Sequence, residues 1–442
     1  MIRLVFAICI ALLSVPATAR IKIEEVVSPG GIKARFVNEP SIPFVSLAIG
    51  FRGGASLDPD GKVGVTSMMT ALLEEGTGDL DARGFAEAAE ALAAKFRFET
   101  RRDSIRITAE VLTENRDAAL ALLRRAIVEP AFTEDAISRV RARYLAGIEQ
   151  NMQTPRYLAG QRMSELSYPG HAYSNPVDGT LASITALTRD DLVEMHRRAM
   201  SMDHLVVSAV GDITAEELGR LIDHLAEGLP GTGVPLPPDA EFAATGGVSV
   251  IEIPTPQSTA VWAHPGLSRD DPDFMAAFVM NHILGGGFGS RLMTELRVNR
   301  GLTYGVYSYF VYNTAHSVHL AGAVTSANGT VAEVMNVIRT EWDRMATEGV
   351  TEEELEIAKK NLTGSYALRF DGNTRIAGIL QSMQIDNFPD NYVNIRNDLV
   401  RAVTVEDIRR VASEMLDTGA LRFVVAGQPE GLVATDHGVS EK

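Results

Sequence analysis

The first half of the chain alternates between two hydrophobic patterns. Apolar residues at every second position predict strands near Lys22–Val27, Lys33–Val37, Val45–Phe51, Phe96–Thr100, Ser104–Val111 and Leu205–Gly211. Apolar residues three and four positions apart predict helices near Val65–Glu75, Ala82–Leu92, Thr113–Val128, Glu134–Met152, Leu158–Leu166 and Arg189–Met200. Because short turns join several strands, we expect a mostly antiparallel, mixed sheet with helices packed on one face, an α+β fold.

The second half repeats this plan. A shift of 216 residues, without a gap, places Thr188 on Thr404 and Gly211 on Gly427. Each segment reads as a threonine-capped helix followed by a short apolar strand that ends at glycine. Such a match favours two homologous domains. Between them, residues 229–247 are rich in proline and glycine and read as a linker. We therefore expect domains at residues 20–228 and 248–435.

The amino terminus has the features of an export signal. Arg3 precedes an apolar run from Leu4 to Val15, and small residues stand at Ala17 and Ala19. This pattern predicts a signal peptide over residues 1–19 and a periplasmic protein. A membrane anchor is the alternative, but the run is shorter than the roughly 20 residues that a spanning helix needs. After cleavage we expect no membrane segment.

Cysteine and charge narrow the chemistry further. Cys9 is the single cysteine of the 442 residues, so cleavage would leave no thiol for a disulfide, a nucleophile or a metal site. The formal net charge is −16, and we find no basic cluster along the sequence. These features argue against nucleic acid as a partner.

The segment "GVTSMMTALLEEGT", residues 64–77, reads as a helix with two distinct faces. Val65, Met68, Met69 and Leu72 form an apolar stripe. Small or short side chains occupy the other face, which we expect to be turned towards a chamber. Two further segments carry a family resemblance: "YPGHAYSNPVDGT" from Tyr168, and "ILGGGFGSRLMTELRVNRGLTYGVYS" from Ile283. With them, nearly the whole chain after residue 19 resembles the pitrilysin/insulinase-type metallopeptidases, the inverzincins.

That resemblance implies a zinc site whose ligands are missing here. Catalytic members carry H-x-x-E-H, in which two histidines bind zinc and the glutamate acts as general base. These three positions fall on Ser67, Thr70 and Ala71, and the third ligand position falls on Gly147. Glu149 points about 200° away from that position, and Glu74 and Glu75 read as solvated at a helix end. We expect no zinc in this chain.

The resemblance also implies two surviving functional residues, Arg297 and Tyr304. In the family, an arginine and a tyrosine at this spacing project towards the scissile peptide, where their donors suit a substrate carbonyl or an oxyanion. The alternative is a surface arginine and a strand tyrosine. Gly285, Gly286 and Gly287 are predicted to form a helix-ending turn near the substrate path and to contribute to substrate binding. They fit neither a Walker loop nor a dinucleotide fingerprint.

Family members of this length pair two subunits around a chamber. We therefore expect this chain to be the non-zinc subunit of an exported, heterodimeric zinc peptidase that acts on peptides. The partner would be a homologous H-x-x-E-H subunit that holds the zinc, and this chain alone would be inactive. The alternative is a scaffold or peptide-binding protein of the same fold. A self-sufficient hydrolase built on Ser67 would need a histidine base, and none lies near it in sequence.

Overall fold

The computed structural model describes residues 21–315 and 317–435. The predicted signal peptide and Cys9 lie outside the described residues. The strands are β1 (Glu24–Val27), β2 (Lys33–Asn38), β3 (Phe44–Arg52), β4 (Gly76–Thr77), β5 (Leu80–Asp81), β6 (Lys95–Thr100), β7 (Ser104–Leu112), β8 (Leu205–Gly211), β9 (Gly247–Glu252), β10 (Gln257–Pro265), β11 (Val306–Tyr312), β12 (Val318–Ala327) and β13 (Arg422–Gly427).

Helices make up most of the remaining chain. They are α1 (Val65–Ala71), α2 (Ala82–Ala91), α3 (Arg116–Val128), α4 (Glu134–Asn151), α5 (Pro155–Ser167), α6 (Leu181–Ala186), α7 (Arg189–Ala199), α8 (Ala215–Ala226), α9 (Phe274–Asn281), α10 (Arg291–Met293), α11 (Val331–Glu348), α12 (Glu352–Gly364), α13 (Asn373–Ile385), α14 (Tyr392–Ala402) and α15 (Val405–Met415). Two π-helical turns, His282–Gly286 and Thr294–Asn299, follow α9 and α10.

Two mixed sheets carry the fold, and they share one strand order. The first sheet runs β1-β2-β8-β3-β7-β6, and the second runs β9-β13-β10-β12-β11. One pair in each sheet is parallel, β2 with β8 and β9 with β13. The other neighbours are antiparallel. The two halves therefore match strand for strand apart from the additional β1, which confirms the predicted α+β fold.

The repeated helix–strand unit has the same capping chemistry in both halves. Thr188 and Thr404 each accept the amide of the third helical residue, whose aspartate accepts the threonine amide in return. Each strand then ends at a glycine with positive φ, 144° at Gly211 and 149° at Gly427. A β-carbon there would lie 2.3 Å from Phe44 O or from Ser258 Oγ. Both glycines are therefore required by close packing.

Each sheet has a hydrophobic core on its helical face. In the first half, apolar residues of α1, α3, α4, α7 and α8 pack onto Phe36, Leu47 and Ile49 of the sheet. In the second half, α9, α11 and α15 pack around Trp262 and Phe423. The apolar positions that the sequence pattern assigned to the sheet and helix interiors fill these cores.

The opposite face of each sheet is covered by a helix from the other half. Ala159 and Met163 of α5 pack with Val261 and Val424 of the second sheet. Conversely, Leu380 of α13 belongs to a buried cluster on the first sheet. Helix α13 also makes polar contacts with that sheet, and these cannot be anticipated from local periodicity. We call α5 and α13 the exchanged helices.

The element predictions differ from the structure in a few places. Helix α1 ends at Ala71 rather than at Glu75, and turns follow before the short β4–β5 hairpin. The sequence analysis missed α6 and α8, although Thr214 and Glu217 form a capping box at the start of α8. Across the described residues, no helix has both the length and the apolar character needed to cross a bilayer.

Candidate functional site

Helix α1, where a zinc site would be expected, begins at a side-chain cap. Gly64 adopts φ 90° just before the helix. The Asp58 carboxylate accepts hydrogen bonds from the amides of Gly64 (2.6 Å) and Thr66 (3.0 Å) and from the Thr66 hydroxyl (2.5 Å). Burial nevertheless raises the pKa of Asp58 to about 6, because it outweighs these three bonds. The cap therefore titrates in the mildly acidic range.

The second face of α1 is closed rather than open. Ser67 is 2% exposed and Thr70 is 1% exposed, so the expectation that this face is turned to a chamber is wrong. The Ser67 hydroxyl donates to Val177 O at 2.7 Å, within the loop that begins at Tyr168. The Thr70 hydroxyl has no hydrogen-bond partner among the described residues. Ala71 packs against the hydrophobic core.

Tyr144 of α4 fills space beside the former ligand positions. Its hydroxyl donates to Ser67 O at 2.8 Å. Gly147 lies three residues further along α4 and so on the same side of that helix. A β-carbon built on Gly147 would meet no heavy atom within 4 Å. The third ligand position is therefore open but has no side chain, while Tyr144 holds α4 against α1.

The nearby carboxylates do not replace the missing ligands. Glu75 is only partly exposed and forms ion pairs with Arg139 at 3.2 Å and Arg143 at 3.6 Å, so the prediction that it is solvated is wrong. Glu74 and Glu149 are exposed. Within residues 21–315 and 317–435, no group of three His, Cys, Asp or Glu side chains could hold a metal. The donor set therefore does not fit a zinc ion.

Arg297 lies on the π-helical turn Thr294–Asn299 in the second half, and it is exposed. Its guanidinium carbon is 5.1 Å from the ring centroid of Phe288, which is itself 69% exposed. The side chain makes no hydrogen bond or ion pair within the described part of the chain. The neighbouring Arg300, in contrast, pairs with Glu295 and Glu333. Arg297 thus presents free donors on an aromatic support.

Tyr304 stands two residues before edge strand β11 and is 89% exposed. The loop that carries it turns at Gly301, where φ is 65°. The Thr303 hydroxyl secures the loop by donating to Thr325 O at 2.8 Å and to Gly305 O at 3.0 Å. The backbone beneath Tyr304 is therefore fixed while its hydroxyl is open to solvent.

The glycine segment before Arg297 divides into a buried and an accessible part. Gly285 is buried, and a β-carbon there would lie 2.3 Å from Ser308 Oγ of β11. Asn281 ties the same strand to α9, because Ser308 Oγ donates to Asn281 Oδ1 at 2.6 Å. Gly286 is exposed and Gly287 partly exposed. Of the three glycines predicted to bind substrate, these two reach the surface, whereas Gly285 packs against β11.

A partly buried ion pair anchors the segment that carries Arg297. Arg291 of α10 donates to both carboxylate oxygens of Glu354, at 2.7 and 2.9 Å, and to Gly349 O at 2.8 Å. Glu354 also completes the capping box of α12 with Thr351. A bidentate arginine–carboxylate pair fixes orientation as well as distance. Arg297 therefore extends from a rigid support.

Known proteins of similar sequence identify this architecture. Over 332 residues the chain is 30% identical to the non-peptidase homolog YmxG of Helicobacter pylori. The aligned region covers 74% of this chain and 76% of that protein. The chain belongs to the M16 peptidase family. Residues 34–180 match the family model described as Insulinase (Peptidase family M16). Residues 186–362 match the model of the Peptidase M16 inactive domain.

Solved M16 structures and other relatives agree with this assignment. The crystal structure of a peptidase M16 inactive domain from Pseudomonas fluorescens has a TM-score of 0.87 and 29% identity, covering 94% of this chain and 99% of that chain. An uncharacterized zinc protease of Streptomyces coelicolor is 27% identical over 405 residues, covering 88% of this chain and 86% of that protein. The chain thus has the M16 fold, and Ser67, Thr70, Ala71 and Gly147 offer no zinc ligand at the positions that the family resemblance gives.

The sequence analysis missed several residues that shape these two regions. Asp58 lacks the usual capping signal, because it stands six residues before Gly64 rather than at the N-cap position itself. Tyr144 gave no local signal either, since its role depends on α4 crossing α1. Phe288 directly follows the glycine run Gly285–Gly287, and an exposed aromatic there could have been noted.

Proposed function

We propose that this chain is the non-zinc subunit of a heterodimeric M16 peptidase that is exported to the periplasm. One observation carries the proposal: Ser67 and Thr70 of α1 are buried, whereas the side chains of Arg297 and Tyr304 are exposed and have no hydrogen-bond or ion-pair partner among the described residues. Buried polar groups are normally hydrogen-bonded within the fold, whereas these two exposed side chains keep their donors available. An exposed guanidinium and phenol on a rigid support instead suit a ligand that arrives from outside.

In this proposal Arg297 and Tyr304 act on a peptide held between the two subunits. The guanidinium and the phenol donate hydrogen bonds to the scissile carbonyl, and more strongly to the oxyanion that develops from it. Edge strand β11 begins two residues after Tyr304 and exposes Tyr307 and Tyr309. It offers a free edge on which a peptide can add as a strand.

The homologous H-x-x-E-H partner would contribute the zinc, because the described residues of this chain offer no donor set for it. The partner would also hold the general base. This chain would then contribute binding, orientation and stabilisation of negative charge. Purified alone, it is expected to contain no stoichiometric zinc and to cleave no peptide. Cleavage by the isolated chain that a chelator abolishes would contradict the proposal.

The deciding experiment is reconstitution with the H-x-x-E-H partner and measurement of peptide hydrolysis. Arg297→Ala is expected to lower kcat by about 10²–10³-fold, the usual cost of losing one oxyanion donor. Arg300→Ala is the matched control, because Arg300 is an exposed arginine three residues away that already pairs with Glu295 and Glu333. It should leave kcat unchanged.

A scaffold or peptide-binding role is the second candidate, and the similarity to a protein named as a non-peptidase homolog favours it. In that case Arg297→Ala and Tyr304→Phe would leave the turnover of the complex unchanged. Loss of turnover in both variants, with the complex still assembled, would exclude the scaffold. Gel filtration of each variant complex supplies the assembly control.

A further inference from the structure

A large cavity between the two halves is lined by more basic than acidic residues, whereas the chain as a whole is acidic. It has a volume of about 1240 Å³ and lies between the first sheet, α9, α13 and α14. Seven arginines and two aspartates line it, although acidic residues outnumber basic ones by 57 to 41 overall. The expectation of no basic cluster, drawn from the linear sequence, is therefore wrong for the folded chain. We call this space the arginine cavity.

Two arginines of the cavity have no partner within the described residues. Arg97 lies on β6 and Arg369 on the short helical turn Ala367–Phe370, and both are exposed. Neither guanidinium makes a hydrogen bond or an ion pair with another described residue. Asp386, one of the two lining aspartates, is already engaged by Arg269 at 2.8 Å. The cavity thus keeps positive charge that the chain does not neutralise.

A third arginine is buried without a carboxylate. Arg396 is 5% exposed, and its guanidinium donates to Leu362 O at 2.8 Å and to Asn397 Oδ1 at 3.0 Å. It also lies over the rings of Tyr366 (4.7 Å) and Phe278 (5.3 Å). Burial lowers the pKa of Arg396. A buried cation held by neutral acceptors alone is costly to maintain, and a bound anion would offset that cost.

Two neutral donors of the cavity are also unsatisfied. Asn373 Nδ2 and Tyr312 Oη are both buried, and neither has a hydrogen-bond partner among the described residues. Both residues line the cavity. Buried polar atoms without partners are uncommon in folded proteins, so each such atom calls for an explanation. A ligand with acceptor oxygens would satisfy both.

The lining also defines what else the ligand must contain. Eight aromatic residues contribute to it, so the ligand needs apolar groups beside its negative charges. Pockets for single small molecules are typically about 300–1,000 Å³, and this cavity is larger. An extended peptide combines several carboxylates with apolar side chains and fills more space than one small anion.

We propose that the arginine cavity binds an acidic peptide segment. Its carboxylates pair with Arg97, Arg369 and Arg396, while its apolar side chains pack on the aromatic walls. This inference does not depend on the proposed function, because it concerns binding by this chain alone. The proposed heterodimer can fail to hydrolyse peptides while this chain alone still binds the acidic peptide. Conversely, hydrolysis can succeed while the arginine cavity binds nothing.

The test measures the affinity of the full chain for a synthetic glutamate-rich peptide containing one tyrosine, by fluorescence anisotropy. Arg97→Ala combined with Arg369→Ala is expected to weaken binding at least about tenfold, since two charge-assisted bonds are lost. Arg83→Ala combined with Arg220→Ala is the matched control. These exposed arginines of α2 and α8 lie outside the cavity and should leave the affinity unchanged.

Two further arms decide the nature of the ligand. Replacing every glutamate of the peptide by glutamine should also weaken binding at least about tenfold. Equal affinity for both peptides, or for the chain with and without Arg97 and Arg369, would overturn the proposal. Displacement of the peptide by inorganic pyrophosphate at an equal concentration would assign the cavity to a free anion and overturn the peptide as its ligand.

A second variant addresses the buried donors. Tyr312→Phe removes a hydroxyl that has no partner in the described structure, so the fold should tolerate it. We expect it to weaken binding of the glutamate peptide several-fold, because one neutral hydrogen bond is lost. Unchanged affinity together with an unchanged thermal midpoint would remove Tyr312 from the proposed contact and contradict the proposal at that position.

Discussion

Helix α1 and the Arg297–Tyr304 segment show two different outcomes for a peptidase site. On α1, Ser67 and Thr70 are buried. Tyr144 and the loop that begins at Tyr168, which includes Val177, pack over the helix. On the second segment, Arg297 and Tyr304 stay exposed on a backbone held from below. At Ser67 and Thr70 packing has closed the space, whereas the position of Gly147 is open but has no side chain. Where the donors persist, the fold leaves them accessible, which is what a binding role requires.

The largest expected effect comes from trying to reopen the closed face. Thr70→Glu places a carboxylate at a buried position without a cation partner, and should lower the free energy of unfolding by about 3–5 kcal/mol. Urea denaturation measures it. Thr70→Val is the control of similar shape, and it should raise stability by about 1 kcal/mol, because the Thr70 hydroxyl is unsatisfied among the described residues. Equal stability of all three proteins would show that the face is open.

The cap of α1 predicts a stability change between pH 4 and pH 6. The pKa of Asp58 is raised to about 6 by burial, so between these pH values the folded chain binds more protons there than the unfolded chain. Stability contributed by this group therefore falls as pH rises, by at most roughly 3 kcal/mol. Urea denaturation across this range should show the fall in the natural chain and not in Asp58→Asn. Parallel pH profiles would contradict it.

A smaller loss of stability is expected when the buried glycine of the glycine segment is replaced. Gly285→Ala introduces a β-carbon 2.3 Å from Ser308 Oγ and should destabilise the second half by about 1–3 kcal/mol. Gly289→Ala is the matched control, because a β-carbon there would meet no heavy atom within 4 Å. Thermal unfolding measures both. A Gly285→Ala variant as stable as the control would show that β11 and the π-helical turn His282–Gly286 are not in close contact.

The smallest expected effect on stability concerns the open segment itself. Arg297→Ala and Tyr304→Phe remove exposed groups, so each should change the free energy of unfolding by no more than about 0.5 kcal/mol. Chemical denaturation of the isolated chain tests this. A loss of several kcal/mol would mean that these side chains support the fold, and the contrast with α1 would then disappear.

The sequence predicted the elements well and their long-range contacts poorly. The six strands of the first sheet were placed within two residues at each end, because alternation and short turns are local signals. Helix α1 was drawn too long, since the turn after Ala71 depends on the β4–β5 hairpin. No local sequence pattern indicated that an exchanged helix covers each sheet, because these contacts join residues from opposite halves of the chain.

The amino-acid sequence by itself determined the repeated plan, the threonine caps and the absence of zinc ligands at Ser67, Thr70, Ala71 and Gly147. These properties depend on residue type and short spacing. Tertiary structure alone decided that Ser67 and Thr70 of α1 are buried and that Arg297 has no hydrogen-bond or ion-pair partner within the described chain. It also decided that Arg97 and Arg369 share one cavity. The physical reason is that burial and charge pairing are set by surfaces brought together from distant parts of the chain.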